Sequence, residues 1–442
     1  PLVVVSALSG ITDKLEQLGK NATKLSRNSF ITTLDKIAAR HLTLADELGC
    51  THSHNFSEFL AEWKNDMKIL FPKLGEYKDN IKVLQDIILS QGEWLSIHLI
   101  SAYLKSIHLP ALPVDARKII KTDSQFTKAN LDMKKSKPIV EKIILPLLDS
   151  NQIPVIQGFI GSDAKNKTTT LGRGGSDLSA TILGCLLQAQ RVEIWSDVDG
   201  VLTADPTIIP QARRIKYMSF REASELAYFG AKVLHPSTLI PAIEHDIPVK
   251  VCNTMRPEDS GTLISKDKTL DAKNRCIIKS IAYKENLTII TITSTRMLMA
   301  YGFLASIFSI FKKYKTSVDL VTTSEVGVSI TIDNTEHLDN IINELKTFSR
   351  VEVYSQMAIV CLVGEKMKNE PQHVRKIFNS LQDIHIHMIS QGASEINISF
   401  VIADKDIKKT VTRLHKEFFE NDKHSKLFIE AESKHSLKKT MG

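Results

Sequence analysis

Residues 168–177 read Thr-Thr-Thr-Leu-Gly-Arg-Gly-Gly-Ser-Asp and lead straight into a helical pattern. Directly after this segment, apolar residues at helical spacing share one face: Leu178, Ile182, Leu183 and Leu186. Glycines let backbone N–H groups approach a ligand, and the positive end of a helix dipole favours an anion. Arg173 adds a planar fork suited to a carboxylate, and Ser176 or Asp177 is expected to cap the helix. The segment predicts an anion-binding helix start, with an ordinary glycine-rich turn as the alternative.

Short apolar runs that read as buried strands recur along residues 1–265. They cover residues 2–5, 153–156, 191–194 and 249–251. Longer helical patterns separate them, and residues 28–105 are largely helical and charged. This alternation predicts an α/β fold with a mainly parallel sheet, helices on both faces and ligands at the carboxyl ends of the strands.

Composition excludes several classes of protein. The 442 residues include 57 Lys and Arg against 50 Asp and Glu, a formal net charge of +7. Bases alternate with acids, which argues against a nucleic-acid partner. No segment approaches the roughly 20 apolar residues of a membrane span. The five cysteines are scattered without Cys-x-x-Cys spacing, so we expect a reduced, cytoplasmic setting and no structural metal site.

The last third of the chain contains an internal repeat. Three pairs share an offset of 70: Ile307-Phe308 with Ile377-Phe378, Ser324-Glu325-Val326 with Ser394-Glu395-Ile396, and Ser329 with Ser399. Each copy runs strand, helix and two further β-rich runs. The constant spacing indicates two copies of one module, and the order of elements predicts a ferredoxin-like βαββαβ unit.

Several short motifs occupy the predicted strand-end loops of residues 1–265. They are Ser-Gln-Gly-Glu (90–93), Gln-Gly-Phe-Ile-Gly (157–161), Ser-Asp-Val-Asp-Gly-Val (196–201) and Gly-Ala-Lys-Val-Leu-His-Pro (230–236). Each motif alone is weak evidence, because an acid such as Asp197 is as often a turn former as a functional group.

Together with residues 168–177, these motifs resemble the aspartate kinases of the amino-acid kinase fold. The resemblance covers nearly the whole chain and includes the repeat, which resembles a pair of ACT modules. It implies a three-layer αβα catalytic domain at 1–265, a linker at 266–284, ACT modules at 285–355 and 356–426, and a solvated tail at 427–442. The family's N-terminal Lys-Phe-Gly-Gly strand-loop is absent, so we expect a chain starting at Pro1 to be truncated and severely impaired.

The reaction implied by the resemblance is phosphoryl transfer from ATP to the side-chain carboxylate of L-aspartate. Arg173 would hold the α-carboxylate of aspartate and Glu93 its α-ammonium. The rest of the implied substrate pocket is Thr12, Phe159, Gly174, Gly175 and Ser176. Asp177 and Lys232 would act at the transfer centre.

The resemblance also implies a nucleotide side, where Mg²⁺ would bridge the phosphates of ATP. Its residues would be Ser196, Asp197, Leu202, Asp205 and Lys232. Two positions depart from the family pattern: Leu202 stands where several members carry tyrosine, and Thr207 where they carry arginine.

The first module is expected to bind an effector, and the resemblance to lysine-inhibited members implies L-lysine. The implied residues are Met297, Ala300, Phe303, Leu304, Val318, Asp319, Thr323, Ser324 and Glu325. Gly302 would face a carboxylate, while Asp319 and Glu325 would receive ammonium groups. At the offset of 70, Asp319 corresponds to Ile389, so the second copy is expected to be a structural and dimerisation partner.

These inferences predict a homo-oligomer, a dimer or tetramer joined through its ACT modules. The expected location is the cytoplasm, or a plastid if a transit segment precedes this chain. Two alternatives remain open: another amino-acid kinase, and a regulatory subunit that binds an amino acid without turnover.

Overall fold

The computed structural model describes residues 1–21, 24–51, 55–230, 233–266, 278–294, 301–365, 367, 371–392, 394–420 and 427–429. Two units are distinguished, residues 1–192 with 234–249 and residues 193–233 with 250–442. Within the described ranges, no helix has both the length and the apolar character needed to cross a bilayer.

The α-helices are α1 (Ile11–Asn21), α2 (Arg27–Glu47), α3 (Phe56–Leu70), α4 (Ile81–Leu89), α5 (Gln91–Ser106), α6 (Ala116–Ile119), α7 (Met133–Asp149), α8 (Gly175–Leu186), α9 (Phe220–Tyr228), α10 (Pro236–His245), α11 (Phe303–Lys313), α12 (Leu338–Leu345), α13 (Pro371–Ser380) and α14 (Ile407–His415). Residues Phe71–Asn80 and Asp404–Asp406 form 3₁₀ turns, and Lys416–Glu420 forms a π-helical turn.

The strands are β1 (Val3–Val5), β2 (Ala111–Val114), β3 (Ile153–Gln157), β4 (Ile160–Ser162), β5 (Thr168–Thr170), β6 (Val192–Ser196), β7 (Arg214–Ile215), β8 (Tyr217–Ser219), β9 (Val249–Asn253), β10 (Thr262–Ser265), β11 (Ile278–Thr293), β12 (Val321–Thr323), β13 (Gly327–Ile332), β14 (Arg350–Gly364), β15 (Met388–Gln391), β16 (Asn397–Ala403) and β17 (Phe428–Ile429). The predicted strands near residues 2, 153, 191 and 249 are confirmed. Short strands such as β2 and β8 were not predicted, because they lack a long apolar run.

A parallel sheet in the order β1-β3-β2 forms the centre of the first unit. Successive residues of β3 face opposite layers, as expected for a strand. Val155 packs with Ile97 of α5, and Ile156 packs with Ile144 of α7 and Ile182 of α8. Helices therefore cover both faces, and burying each of these aliphatic side chains contributes about 1.5–3 kcal/mol.

The predicted helical stretch near residues 28–105 forms a separate apolar core in the first unit. Its buried members include Phe30, Leu34, Trp63, Leu84 and Leu95, drawn from α2 to α5. Their spacing places the apolar face of each amphipathic helix towards this core. The core fixes the start of α5, which carries the Ser-Gln-Gly-Glu motif.

The second unit contains a four-stranded sheet in the order β6-β9-β10-β8. After β8, Ser219 starts α9 with a capping box: its hydroxyl accepts from the Glu222 N–H, and the Glu222 carboxylate accepts from the Ser219 N–H. Glu222 is buried and also accepts from the Lys279 ammonium at 2.7 Å. This arrangement fixes α9 against the start of β11.

The repeat forms one six-stranded antiparallel sheet in the order β12-β13-β11-β14-β16-β15. The second half of β11 pairs with β13, and the second half of β14 pairs with β16. Each half of β11 also pairs with the opposite half of β14. The two ferredoxin-like modules therefore share strands, and each is completed by half of the other's long strand.

Two predicted boundaries differ from the structure. Residues 278–284, assigned to a linker, form the first half of β11, where Ile278, Ile281 and Ala282 are buried. This strand was not predicted, because the charged residues just upstream made the whole stretch resemble a linker. Residues 428–429 of the predicted tail form β17 and pair with β7, because Leu427 and Phe428 are apolar and buried. Residues 267–277 and 430–442 lie outside the described ranges.

Candidate active site and effector site

The glycine-arginine segment forms the turn between β5 and α8. Gly172 and Gly174 have φ angles of +79° and +70°, in the left-handed region that favours glycine. Gly174 is the N-cap residue of α8, and no side chain caps the helix. This corrects the expected capping by Ser176 or Asp177, which lie in the first helical turn, because the left-handed glycine itself turns the chain into the helix.

Two further motifs pack against this segment within the first unit. A Cβ on Gly174 would lie 2.6 Å from the Cβ of His235, and one on Gly175 would lie 2.5 Å from Phe159. His235 Nδ1 accepts from the Ser237 N–H and caps α10. The His-Pro end of residues 230–236 and the Gln-Gly-Phe segment therefore shape the same helix start.

The first unit holds a cavity of about 770 Å³ beside this helix start. It is lined by all the residues predicted for the aspartate side and by Asp177: Thr12, Glu93, Phe159, Arg173, Gly174, Gly175, Ser176 and Asp177. Its other lining residues include Asp13, Lys20 and Thr127, which were not predicted. Nothing in their local sequence distinguishes them from surface polar residues.

Glu93 lies in the first turn of α5 with only 4% of its surface exposed. Its Oε1 accepts from the Ala7 N–H at 3.3 Å, and Oε2 has no hydrogen-bond partner among the described residues. Burial raises the pKa of the Glu93 carboxyl to about 7. A buried carboxylate with an open oxygen is costly unless a cation pairs with it, so the position suits a ligand ammonium group.

Arg173 and Asp177 are the other charged groups of the helix start. The Arg173 side chain is exposed at the cavity and forms no hydrogen bond or ion pair with another described side chain. Its guanidinium fork is thus available for a ligand carboxylate. Burial raises the pKa of Asp177, a lining residue of the same cavity.

Asp86 of α4 binds two residues of the cavity lining, Thr127 and Thr170, and was not predicted from the sequence. It is fully buried and accepts hydrogen bonds from the Thr127 N–H, the Thr170 N–H and the Thr170 hydroxyl. Burial raises its pKa despite these bonds, which act in the opposite direction. A single acid within the apolar helix Ile81–Leu89 was the signal that could have revealed it.

The predicted nucleotide residues lie in the second unit, on residues 196–207. Ser196 ends β6, and Asp197 is exposed. Gly200 has a φ of +114°, and a Cβ there would lie 2.4 Å from Thr262 Oγ1. That close approach lets Thr262 Oγ1 accept from the Val201 N–H at 2.9 Å. The glycine thus anchors the start of this loop.

The end of the loop is held by residues of β11. Leu202 forms an isolated bridge with Arg214, and its carbonyl accepts from the Ser280 hydroxyl at 2.8 Å. Asp205 Oδ1 accepts from the backbone N–H and hydroxyl of Thr207, and Oδ2 accepts from the Tyr283 hydroxyl at 3.1 Å. Lys232, predicted for the phosphates, lies outside the described residues.

Asp199 belongs to the Ser-Asp-Val-Asp-Gly-Val motif but was not among the predicted site residues. Its carboxylate accepts from the side chains of Asn253 and Arg256. These contacts tie the turn after β6 to the end of β9, so Asp199 acts as a structural acid.

The predicted effector residues divide into core and surface positions. Phe303 and Val318 pack against the core of the first module, and the Phe303 ring contacts Phe348 edge-to-face. Leu304 is partly exposed, and the turn residues Thr323, Ser324 and Glu325 are exposed. Met297 and Ala300 lie outside the described residues.

Asp319 is the buried acid of this module, with 4% of its side chain exposed. Its Oδ1 accepts from the Lys284 ammonium at 2.8 Å and from the Tyr228 hydroxyl at 3.2 Å. Its Oδ2 is buried without a hydrogen-bond partner among the described residues. The carboxylate therefore retains one open acceptor for a further donor.

Comparisons with known proteins bear on both sites. The amino acid kinase family model matches residues 1–253, and an ACT domain model matches residues 360–418. Aspartokinase 2, chloroplastic, of Arabidopsis thaliana is 37% identical, covering 96% of this chain and 79% of the relative. Lysine-sensitive aspartokinase 3 of Escherichia coli (strain K12) is 35% identical, covering 95% and 92%.

The chain belongs to the aspartokinase family.

Solved aspartokinase structures agree with this membership. The R-state structure of E. coli aspartokinase III with aspartate and ADP superposes with a TM-score of 0.81 at 35% identity, covering 95% of this chain and 93% of that one. The T-state structure with lysine and aspartate gives a TM-score of 0.77 at 35% identity, covering 95% and 92%. The fold predicted from the motifs, an amino-acid kinase domain with ACT modules, is confirmed.

The second ACT module of this aspartokinase differs from the first at the matching turn. Ile389, at the position of Asp319, is exposed. The Ser394 hydroxyl and the Asn397 amide donate to the Glu225 carboxylate of α9 at 3.2 and 2.6 Å. The turn of the second module is thus engaged with α9 inside the same chain.

Proposed function

We propose that this chain is a lysine-inhibited aspartate kinase, which transfers the γ-phosphoryl group of ATP to the side-chain carboxylate of L-aspartate. The products are 4-phospho-L-aspartate and ADP. The observation that carries the proposal is that one cavity is lined by a buried carboxylate and an arginine, and that neither Glu93 Oε2 nor the Arg173 guanidinium has a side-chain partner among the described residues. Glu93 and Arg173 together match the opposite charges of an α-amino acid.

Substrate binding follows from these charges. The Arg173 fork holds the α-carboxylate, and Glu93 Oε2 accepts from the α-ammonium. Thr12, Phe159 and residues 174–176 line the remaining surface. With both α-groups held, the side-chain carboxylate is the only nucleophile of aspartate left free to reach ATP.

In the transfer step, a side-chain carboxylate oxygen forms a bond to the γ-phosphorus while the bond to the β-phosphate oxygen breaks and ADP leaves. Like charges meet in this step, so cations and aligned N–H groups must offset them. We assign that work to the N-terminus of α8 and to Lys232, with Asp177 orienting the reacting groups. Residues Ser196, Asp197, Leu202 and Asp205 form the nucleotide side, where Asp205 shapes the loop through its bonds to Thr207 and Tyr283.

We expect Mg²⁺ to bind together with ATP. No group of three or more His, Cys, Asp or Glu side chains within the described residues is arranged to hold a metal ion. Mg²⁺ commonly binds through phosphates and one or two carboxylates, and the exposed Asp197 fits that role. The ion would supply positive charge to the phosphates.

Inhibition by L-lysine rests on Asp319. A buried carboxylate oxygen without a partner suits an ammonium group, and L-lysine carries two. The E. coli relative is lysine-sensitive, and its T-state structure contains lysine. Lysine inhibits if it binds one quaternary state better than the other.

Oligomerisation is proposed to use the ACT sheet. Its edge strands β12 and β15 carry the exposed apolar residues Val321 and Ile389, and Val326 is exposed beside them. An unpaired strand edge with apolar side chains is a ready pairing surface. A dimer or tetramer joined there would give lysine two quaternary states to distinguish. We place the enzyme in the cytoplasm or a plastid, since the Arabidopsis relatives are chloroplastic.

The test uses the purified protein with Mg-ATP, L-aspartate and hydroxylamine. We expect ADP release and an aspartyl hydroxamate, both suppressed by L-lysine. Glutamate, acetylglutamate and buffer alone are controls. Absence of hydroxamate with aspartate would refute the kinase, and lysine binding without turnover would support a regulatory subunit instead.

A further inference from the structure

Two neighbouring residues of β11, Tyr283 and Lys284, contact the two candidate sites of the second unit, the nucleotide loop and the effector site. The Tyr283 hydroxyl donates to Asp205 of the nucleotide loop, and the Lys284 ammonium donates to Asp319 of the effector site. Successive residues of a strand point to opposite faces. One dipeptide therefore touches both sites directly.

The nucleotide loop depends on β11 at several points. Besides the Tyr283 bond, the Ser280 hydroxyl donates to the Leu202 carbonyl, and the Ile281 N–H donates to the Thr203 carbonyl at 2.9 Å. Burial and the Asp205 charge raise the pKa of Tyr283 to about 12. Tyr283 therefore stays protonated near neutral pH and keeps donating to Asp205.

On the effector side, Lys284 bridges two acids. Its ammonium lies 2.8 Å from Asp319 and 2.8 Å from Asp333. Burial acts to lower the pKa of Lys284, but its bonds to the two carboxylates outweigh that effect and raise it. The side chain thus carries a fixed positive charge beside the open oxygen of Asp319.

The backbone of the same dipeptide contacts a third element. Gly230, with φ +102°, packs so closely that a Cβ there would lie 2.3 Å from the Tyr283 carbonyl oxygen. Gly230 opens the segment that carries Lys232. A displacement of residues 283–284 would therefore also reach Gly230.

We propose that Tyr283 and Lys284 are the positioning residues that couple effector binding at Asp319 to nucleotide affinity. The inference rests on the proposed function and specifies its regulation. An effector ammonium on Asp319 Oδ2 places a second cation beside Lys284, which then shifts towards Asp333. Because Tyr283 shares the strand, the shift alters its bond to Asp205 and the shape of the loop. Coupling of this kind is reciprocal, so nucleotide also changes lysine affinity.

The test measures the KM for ATP with and without saturating lysine, together with lysine binding by calorimetry. Allosteric coupling commonly changes affinity about 5- to 150-fold. In Tyr283→Phe and Lys284→Gln we expect the lysine-dependent change in KM to fall to about 2-fold or less, while lysine still binds. Lys284→Arg should restore coupling, because an arginine fork can bridge both acids.

Matched controls exist in the same module. Tyr314 and Lys313 are also neighbours and both donate to one acid, Glu344, away from the nucleotide loop. Tyr314→Phe and Lys313→Gln should keep wild-type coupling. Full coupling in Tyr283→Phe and Lys284→Gln would overturn the inference and leave the kinase assignment standing. Failure of the wild-type protein to bind lysine would instead refute the effector part of the proposed function.

Discussion

The acidic side chain in the cavity of the first unit and the one in the nucleotide loop of the second unit differ in their hydrogen bonding. Glu93 has one oxygen that no described residue bonds, whereas the two oxygens of Asp205 accept hydrogen bonds from Thr207 and Tyr283. Both acids were predicted to handle substrates. From this difference we propose that an open oxygen marks a ligand contact, and that a fully bonded carboxylate marks a structural joint. Asp86 extends the comparison, since its partners Thr127 and Thr170 line the same cavity as Glu93 and both of its oxygens are bonded.

The largest effect is expected for Asp86→Ala. The change leaves buried donors of Thr127 and Thr170 without an acceptor, so the free energy of unfolding should fall by about 3–4 kcal/mol. Urea unfolding measures it. The matched controls are Asp149→Ala at an exposed site and Glu93→Gln, each expected to cost under about 1 kcal/mol. Equal losses in Asp86→Ala and Glu93→Gln would contradict the distinction between bonded and open acids.

The sequence motifs identified Glu93 and Asp205 as candidate site residues, but not the fully bonded Asp86. Glu93 and Arg173 stand in short glycine-containing motifs, where the residue types themselves indicate a ligand. Asp86 has no such surroundings, because its partners Thr127 and Thr170 are distant in sequence and meet only in the folded unit. The parallel sheet and the repeat were predictable from local periodicity.

The shared strands of the two modules were not predictable. The pairing of residues 278–284 with residues 359–364 depends on which strand completes which sheet. Long-range pairing of this kind leaves no local pattern. The contacts of Tyr283 with Asp205 and of Lys284 with Asp319, on which their proposed roles rest, were likewise not predictable from the sequence.

Arg173→Ala should have the next largest effect. Loss of a bidentate charged contact costs about 2–3 kcal/mol, so the KM for aspartate should rise about 30- to 150-fold. The melting temperature should stay near the wild-type value, because the Arg173 side chain forms no ion pair within the part of the chain that the structure describes. Arg117→Ala is the control, since Arg117 pairs with Asp115 and its loss should spare the KM for aspartate. An unchanged KM in Arg173→Ala would rule out its carboxylate role.

The pH dependence of aspartate binding tests Glu93. Its pKa is about 7 in the empty cavity, and a bound ammonium stabilises the carboxylate and lowers that pKa. Binding therefore releases a proton below pH 7, and the dissociation constant should rise about tenfold per unit as pH falls from 7 to 5. Calorimetry in buffers of different ionisation enthalpy measures the number of protons released on binding. Proton release should vanish above pH 8, and it should be absent in Glu93→Gln at any pH. Proton release that persists in this variant would show that another group loses the proton.

The smallest effect is expected for Asp205→Asn, and it decides whether the bonded acid touches the nucleotide. An asparagine carbonyl can still accept from Tyr283 or from Thr207, so the loop should keep its shape. We expect the KM for ATP to rise only about two- to fivefold, since a weakened neutral bond costs under about 1 kcal/mol. A direct ligand of Mg-ATP would instead lose a charged contact and about 100-fold or more in kcat/KM. That larger loss would show that bonding between Asp205 and its neighbours is compatible with a substrate role, and the contrast with Glu93 would then fail.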